Sequence, residues 1–522
     1  GGTGTGGTAT GGTGGTTSTG GTTATGGTGG AGGAGAVVGT IVRTLGYHQV
    51  TTLTTRPTGQ AKISADGSKI VYPIAPGTGD PATPNKIFVV NPDGTGTQEV
   101  DSYVPNCFCG ALIDISADGR TVVSSDSTQV RVVGADGSKK GSLKFDSNEI
   151  SDVKISADGT TVFMMHRRNN NVTGGAPVER GLWALNADGT NLRQLVGPAA
   201  LVPMVAVSQP AVTMPDQVFP FNGCGKSLDY AADGQHGVFA VQSGSKQYAA
   251  IVVGTTIRVA KGPVDFVKQV AISADGSRVA FSTVTGGAEE TVVMSGDGGG
   301  ARVVTTQGQA SCFSPMSLNA DGSQLLFGES SLLFPTAGGD PVTLYLNTAG
   351  DGTAIGAPCC DMSPQFSMTG TAKRFSYLNF DSMVLQIGLL EIDPASLGAA
   401  PTLASPTFST GSIPRDRSVG ARVTIRITPV AGTPLVRAGT AVLLKGVEDR
   451  AGSWVNGQQV LRDDGMKGDA TAGDGSFISD AAITSGDGGT VGPRLLRAKA
   501  EAKGADGRRH ATAIDVSGFE VK

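Results

Sequence analysis

An all-β chain is what the sequence predicts: a seven-bladed β-propeller followed by a small β-sandwich, behind a Gly/Thr-rich low-complexity tract. Three observations predict it. A hairpin turn recurs through the middle of the chain, the composition favours short strands and many turns, and the repeat phase is lost before a last stretch of alternating strands. The 522 residues are too many for one ordinary domain. They include 80 Gly, 5% aromatic residues and abundant Thr, Val and Ser, a balance that suits strands and turns better than helices.

The first unit, residues 1–36, holds 18 Gly, 12 Thr, 5 Ala and 1 Ser. With no charge and no side chain larger than Thr it has nothing with which to build a core. It reads either as a flexible stalk or as an ordered tract packed in an assembly. Dense in backbone donors and acceptors, the tract and the strand-like residues up to Val42 are expected to offer contacts for a homopolymer through residues 1–42.

The second unit, residues 37–403, repeats an apolar-Ser-Ala-Asp-Gly turn followed by a hydrophobic strand. It occurs at Ile63–Gly67, Ile115–Gly119, Ile155–Gly159, Tyr230–Gly234, Ile272–Gly276 and Leu318–Gly322, with a degenerate seventh copy at Phe366–Gly370. Successive Asp positions are 52, 40, 75, 42 and 46 residues apart, and Thr369 lies 48 beyond Asp321. Asp bonds the backbone two residues on and Gly supplies a positive φ, so each copy is expected to join the two inner strands of a blade. A second Asp-Gly turn in most copies, as at Asp93, Asp136, Asp188 and Asp297, makes four strands per blade. The long spacing before Asp233 leaves room for an eighth blade. Pro198, Pro203, Pro210, Pro215 and Pro220 argue against one, because proline cannot donate to a sheet ladder. Residues 197–227 are therefore expected to be a long inserted loop, with the apolar run Ala199–Val207 needing cover.

The pairing of Ser-Ala-Asp-Gly with a later Asn-Ala-Asp-Gly turn resembles the TolB-like propeller family over roughly residues 60–400. That resemblance implies a propeller. It also raises the possibility of an enzyme, since such propellers gate α/β-hydrolase peptidases. No Gly-x-Ser-x-Gly elbow is present, and the last unit is less than half the usual size of a hydrolase domain. Only His48, His166, His236 and His510 are available as bases, without an HExxH pair. The expectation is a non-catalytic binding or assembly protein.

A linker is expected at 404–418 and a sandwich at 419–522, on strands such as Ala421–Thr428 and Thr440–Lys445. The segment Asp463–Phe477 is similar to the Asp-Gly-rich signature of Ig-like domains in bacterial secreted proteins. Asp463, Asp464, Asp469 and Asp474 place hard oxygen atoms between glycines, a set suited to calcium although it lacks the EF-hand spacing. The alternative is a metal-free turn network in which these carboxylates accept backbone N–H groups.

Two further groups share a phase. Cys109, Cys224, Cys312 and Cys360 each stand nine residues before the turn Asp or its equivalent, with Cys107 and Cys359 adjoining. They are expected to lie at one mouth of the channel and to form disulfides; a soft metal is the alternative. Four residues before the same Asp stand Lys62, Asp114, Lys154 and Asp229, alternating in sign over four blades. They are read either as a charge ring that offers a ligand site at the channel mouth or as ordinary exposed alternation.

A formal net charge of -4 without a basic stripe speaks against nucleic acid as a partner, and no apolar run reaches membrane-spanning length. The chain starts at Gly1, which suggests a processed or truncated start. The expected setting is extracellular or at the outer cell surface, with a lipid anchor in the precursor, and the expected partner is a protein or a surface glycan.

Overall fold

Four of the Asp-Gly copies close their hairpins with one set of bonds. In the first, Asp66 Oδ1 accepts the Ser68 N–H at 2.9 Å and the Ser64 hydroxyl at 2.6 Å. The Lys69 N–H donates to Ser64 Oγ at 3.1 Å, and the Gly67 N–H to the Ser64 carbonyl at 2.9 Å. Asp118, Asp158 and Asp275 repeat the carboxylate bonds with Ser116, Ser156 and Ser273. The turn is thus held by its own side chains before any sheet packs on it.

The computed structural model describes residues 42–522 except 54, 56–60, 75–82, 104–111, 147–149, 168, 176, 215–217, 221–225, 307–315, 328–331, 340, 345–364, 381–384, 393–399, 436–439, 448–457 and 485–490. Behind the first turn stands a four-stranded antiparallel sheet of Lys62–Ile63, Ile70–Ile74, Asn85–Val90 and Gln98–Tyr103. Similar sheets start at Leu112, Ile150, Phe266 and Met316, and a five-stranded one includes Leu228–Tyr230. The strands Gln365–Met368, Arg374–Phe380 and Leu385–Glu391 take their fourth partner from the start of the described chain. Val42–Leu53 lies antiparallel to Leu385–Glu391, with Gly46 opposite Glu391 and Leu53 opposite Leu385.

Backbone bonds between turns tie successive sheets together. The Asp66 N–H donates to the Ala117 carbonyl, the Ala117 N–H to Ala157, and the Ala232 N–H to Ala274. The Asp275 N–H donates to Ala320, the Ala320 N–H to Gly370, and the Gly370 N–H to Ala65, which returns to the first sheet. The fold is a β-propeller. Its core lies between consecutive sheets: Val238, Ala240 and Ile251, for example, pack against Val270, Ile272 and Phe281.

Two expectations are corrected. Residues 197–227 are not simply a loop, because Pro198–Ala206 forms an α-helix whose Leu201 and Val205 are buried against Met165, Leu182 and Tyr248. Pro198 fits the first turn, where no N–H partner is needed, so proline there starts a helix. Residues 404–418 are not only a linker: Thr402–Phe408 pairs with Val423–Thr428, and Ser412–Ile413 runs parallel to Arg509–Val521. Leu403, Phe408 and Ile413 share one core with Ile425, Phe477, Leu496 and Val516, so the last unit begins near residue 402.

That unit is joined to the propeller through the strand Val42–Leu53. One edge of this strand pairs with Leu385–Glu391 and the other with Arg509–Val521, where Val42 faces Val516 and His48 faces His510. A single hydrogen-bonded path therefore runs from Gln365–Met368 through the closing strand to Thr402–Phe408.

Candidate charged site at the inner edge of the propeller

The structure brings together all four residues of the predicted charge ring. Lys62, Asp114, Lys154 and Asp229 lie on the inner-edge strands of four successive sheets. Lys62 Nζ is 3.3 Å from Asp114 Oδ1, and Lys154 Nζ lies between Asp114 Oδ2 at 3.3 Å and Asp229 Oδ1 at 3.6 Å. Lys226 Nζ adds a contact of 2.6 Å to Asp229 Oδ2. The arc does not continue in kind, since Ala271, Ser317 and Gln365 hold the equivalent positions in the other three repeats.

The carboxylates do a second job. Asp114 Oδ2 accepts the Ile155 N–H and Asp229 Oδ2 the Ile272 N–H, each at 3.1 Å and each from the next inner strand. Asp152 Oδ2 accepts the N–H groups of Ser227 and Leu228 at 3.1 Å. Each acid therefore binds one sheet to the next. The acids lie behind the lysines: the side chains of Asp114 and Asp229 are 5% exposed, against 27% for Lys62, 28% for Lys154 and 16% for Lys226.

The charges set one another's protonation. Burial raises the Asp114 carboxyl, but Lys154, Lys62 and the Ile155 N–H outweigh it and hold the group at about 2. Burial opposes the charge on Lys154, and Asp114 and Asp229 more than restore it, so its pKa is raised. Burial lowers the pKa of Lys226; Asp229 counters it, while repulsion from Lys154 and Lys62 adds to it. Asp152 goes the other way: burial pushes it up to about 6 in spite of Lys62, Lys226 and its two N–H donors. Asp152 and Lys226 were missed in the sequence because they stand off the repeat position. Asp152 is two residues before Lys154, on the same side of its strand, and that spacing is the signal that would have found it.

In the last unit the acidic segment separates into two parts. Asp463, Asp469 and Asp474 bring carboxylate oxygen atoms within 4.8 Å of one another, while Asp464 turns to Arg462 at 3.0 Å. The hydrogen bonds are those of a turn network. Asp463 accepts the N–H groups of Gly473, Asp474 and Gly475 at 2.7, 3.1 and 3.0 Å, and Asp469 accepts that of Gly465 at 2.6 Å.

Cys107, Cys109, Cys224, Cys312, Cys359 and Cys360 lie outside the described residues, as do residues 1–36 and the strand-like residues 37–41. All four histidines lie on strands, and His48 and His510 meet ring to ring where the closing strand joins the last unit. No helix among the described residues is long and apolar enough to cross a membrane.

No family model matches the chain, and no characterised protein matches it in sequence. Solved structures with a similar fold include an oligogalacturonate lyase from Vibrio parahaemolyticus, at 11% identity and a TM-score of 0.43, covering 68% of this chain and 99% of that one. The β-propeller domain of Cps50 (Swd1) from Myceliophteria thermophila matches at 9% identity and 0.41, covering 65% and 98%. TolB from Acinetobacter baumannii matches at 12% identity and 0.31, covering 67% and 64%.

Proposed function

We propose that this chain is a non-catalytic binding or assembly protein of the cell surface or extracellular space: a TolB-like, seven-bladed propeller joined to an Ig-like sandwich as one rigid head. The observation that carries the reading is the double pairing of Val42–Leu53, which serves as a propeller strand and as a strand of the last unit at once. Such a join suits a part that presents a fixed surface to a protein or a surface glycan. The charged residues at the inner edge are used on one another and on neighbouring backbone N–H groups, which is the chemistry of a scaffolded binding surface rather than of a nucleophile and its base.

Light scattering and electron microscopy of the full chain test the reading, alongside mass analysis of oligosaccharides and peptides incubated with it. Discrete heads that leave every ligand intact are the expected result. Turnover of any ligand at a rate abolished by changing Lys154 or Asp229 would overturn it.

A further inference from the structure

We propose that Lys62, Lys154 and Lys226 form a binding site for a small oxyanion, a carboxylate or phosphate group received at the inner edge of the propeller. The inference rests on the binding reading above and gives it a ligand class.

Three features of the lysines carry it. Each ammonium group has three N–H donors, and among the described residues the three groups together make four contacts, all to Asp114 and Asp229. Among the described residues donors are left over, and the partial exposure of these side chains makes them accessible. The acids are anchored in the wall, their oxygen atoms turned to N–H groups of Ile155 and Ile272, so the ammonium groups stand in front of them. Finally, Lys226 repeats on Asp229 a neutralisation that Lys154 already supplies, and it does so against burial and the repulsion of two other lysines. With Asp152 protonated, Asp114 and Asp229 face three ammonium groups, one cation more than the two carboxylates need. An oxyanion facing all three takes up that charge through charge-assisted hydrogen bonds.

Asp152 makes the site responsive to pH. It faces Lys62 and Lys226, with Lys154 on its own strand and the Ser227 and Leu228 N–H groups on its carboxylate. With Asp152 ionised its charge offsets one lysine; once it is protonated, near its raised pKa of about 6, the cluster carries one more unit of positive charge. An anion is therefore held more tightly at pH 5.5 than at pH 7.5.

The test is calorimetric titration of the full chain with glucuronate, with inorganic phosphate and with glucose as the neutral control. Heat from either anion and none from glucose is expected, and which anion responds tells carboxylate from phosphate. Lys62→Gln, which leaves Asp114 paired with Lys154, should weaken binding roughly tenfold, the loss of one charge-assisted hydrogen bond. Lys86→Gln, at the exposed pair with Glu99, should not change it. Glucuronate, whose charge is constant between pH 5.5 and 7.5, should bind more tightly at the lower pH, and Asp152→Asn should remove that dependence, an arm that stands even if K62Q does not fold. No heat from either anion, equal heat from glucose, or unchanged affinity in folded K62Q overturns the site while leaving the binding reading standing. Recovery of chemically altered glucuronate would instead overturn the non-catalytic reading and leave the site in place.

Discussion

Asp152 is a carboxylate that the fold holds partly against its own charge. Burial raises its pKa to about 6 from an ordinary value of 3.8, so the native state gives up stability as pH rises through the interval between the two. Removing the charge while keeping an acceptor oxygen for Ser227 and Leu228 should reverse the loss. Asp152→Asn is expected to be more stable than the parent at pH 7 by about 1 kcal/mol, with the difference gone at pH 4, as read from thermal melts. Asp114 has the opposite sign: its stabilising pairs are complete above the ordinary carboxylate range and are lost as pH falls toward 2. A different buried pair holds the join. Arg497 and Asp515 face each other on the paired strands Gly492–Lys503 and Arg509–Val521, both almost wholly buried, and the guanidinium makes two parallel contacts with the carboxylate. Arg497→Leu leaves that carboxylate unpaired and should cost about 3–5 kcal/mol in chemical denaturation. Lys62, Asp114, Lys154 and Asp229 were legible because they keep the phase of the repeat. Arg497 and Asp515 were not, since nothing local marks two charges that meet only after their strands pair.

At the scale of elements, the Asp-Gly turns were the most legible feature because their bonds are local, spanning only a few residues. Gly119 shows how tightly they fit: its φ is +70°, and a Cβ there would lie 2.7 Å from Lys69 Cγ and 2.8 Å from Ser68 Oγ of the preceding sheet's turn. Gly119→Ala is expected to destabilise the propeller by about 1–3 kcal/mol in the same denaturation measurement. The helix Pro198–Ala206 was illegible for the converse reason. Its prolines read as breakers, and its apolar residues share a core with strands from two sheets, including Phe239 and Tyr248 further along the chain. The acidic loop was legible as a pair of alternatives, and it carries both the turn bonds and three carboxylates drawn together. Asp463 holds three N–H groups where Asp464 holds one and an arginine. Asp463→Ala should therefore cost about 1–2 kcal/mol more than Asp464→Ala, read from chemical denaturation of each variant.

For the whole molecule, circular closure and the join to the last unit depend on one strand. A reading along the chain suggests strand character near Val42, but it cannot reveal that Val42–Leu53 pairs with two different strands, each more than 300 residues away. Among the described residues, 46–48 pair on both edges, 42–45 with Arg509–Val521 and 49–53 with Leu385–Glu391. Deleting residues 1–41 should leave the melting temperature unchanged, whereas deleting residues 1–53 should remove a propeller strand and release the last unit as a second transition. The most direct test of this shared strand is hydrogen–deuterium exchange of the full chain, followed over the peptide covering Val42–Leu53. Protection equal to that of Leu385–Glu391 and Arg509–Val521, lost together with theirs in a single cooperative step, is the predicted result. Rapid exchange of Val42–Leu53 while those two strands stay protected would contradict it.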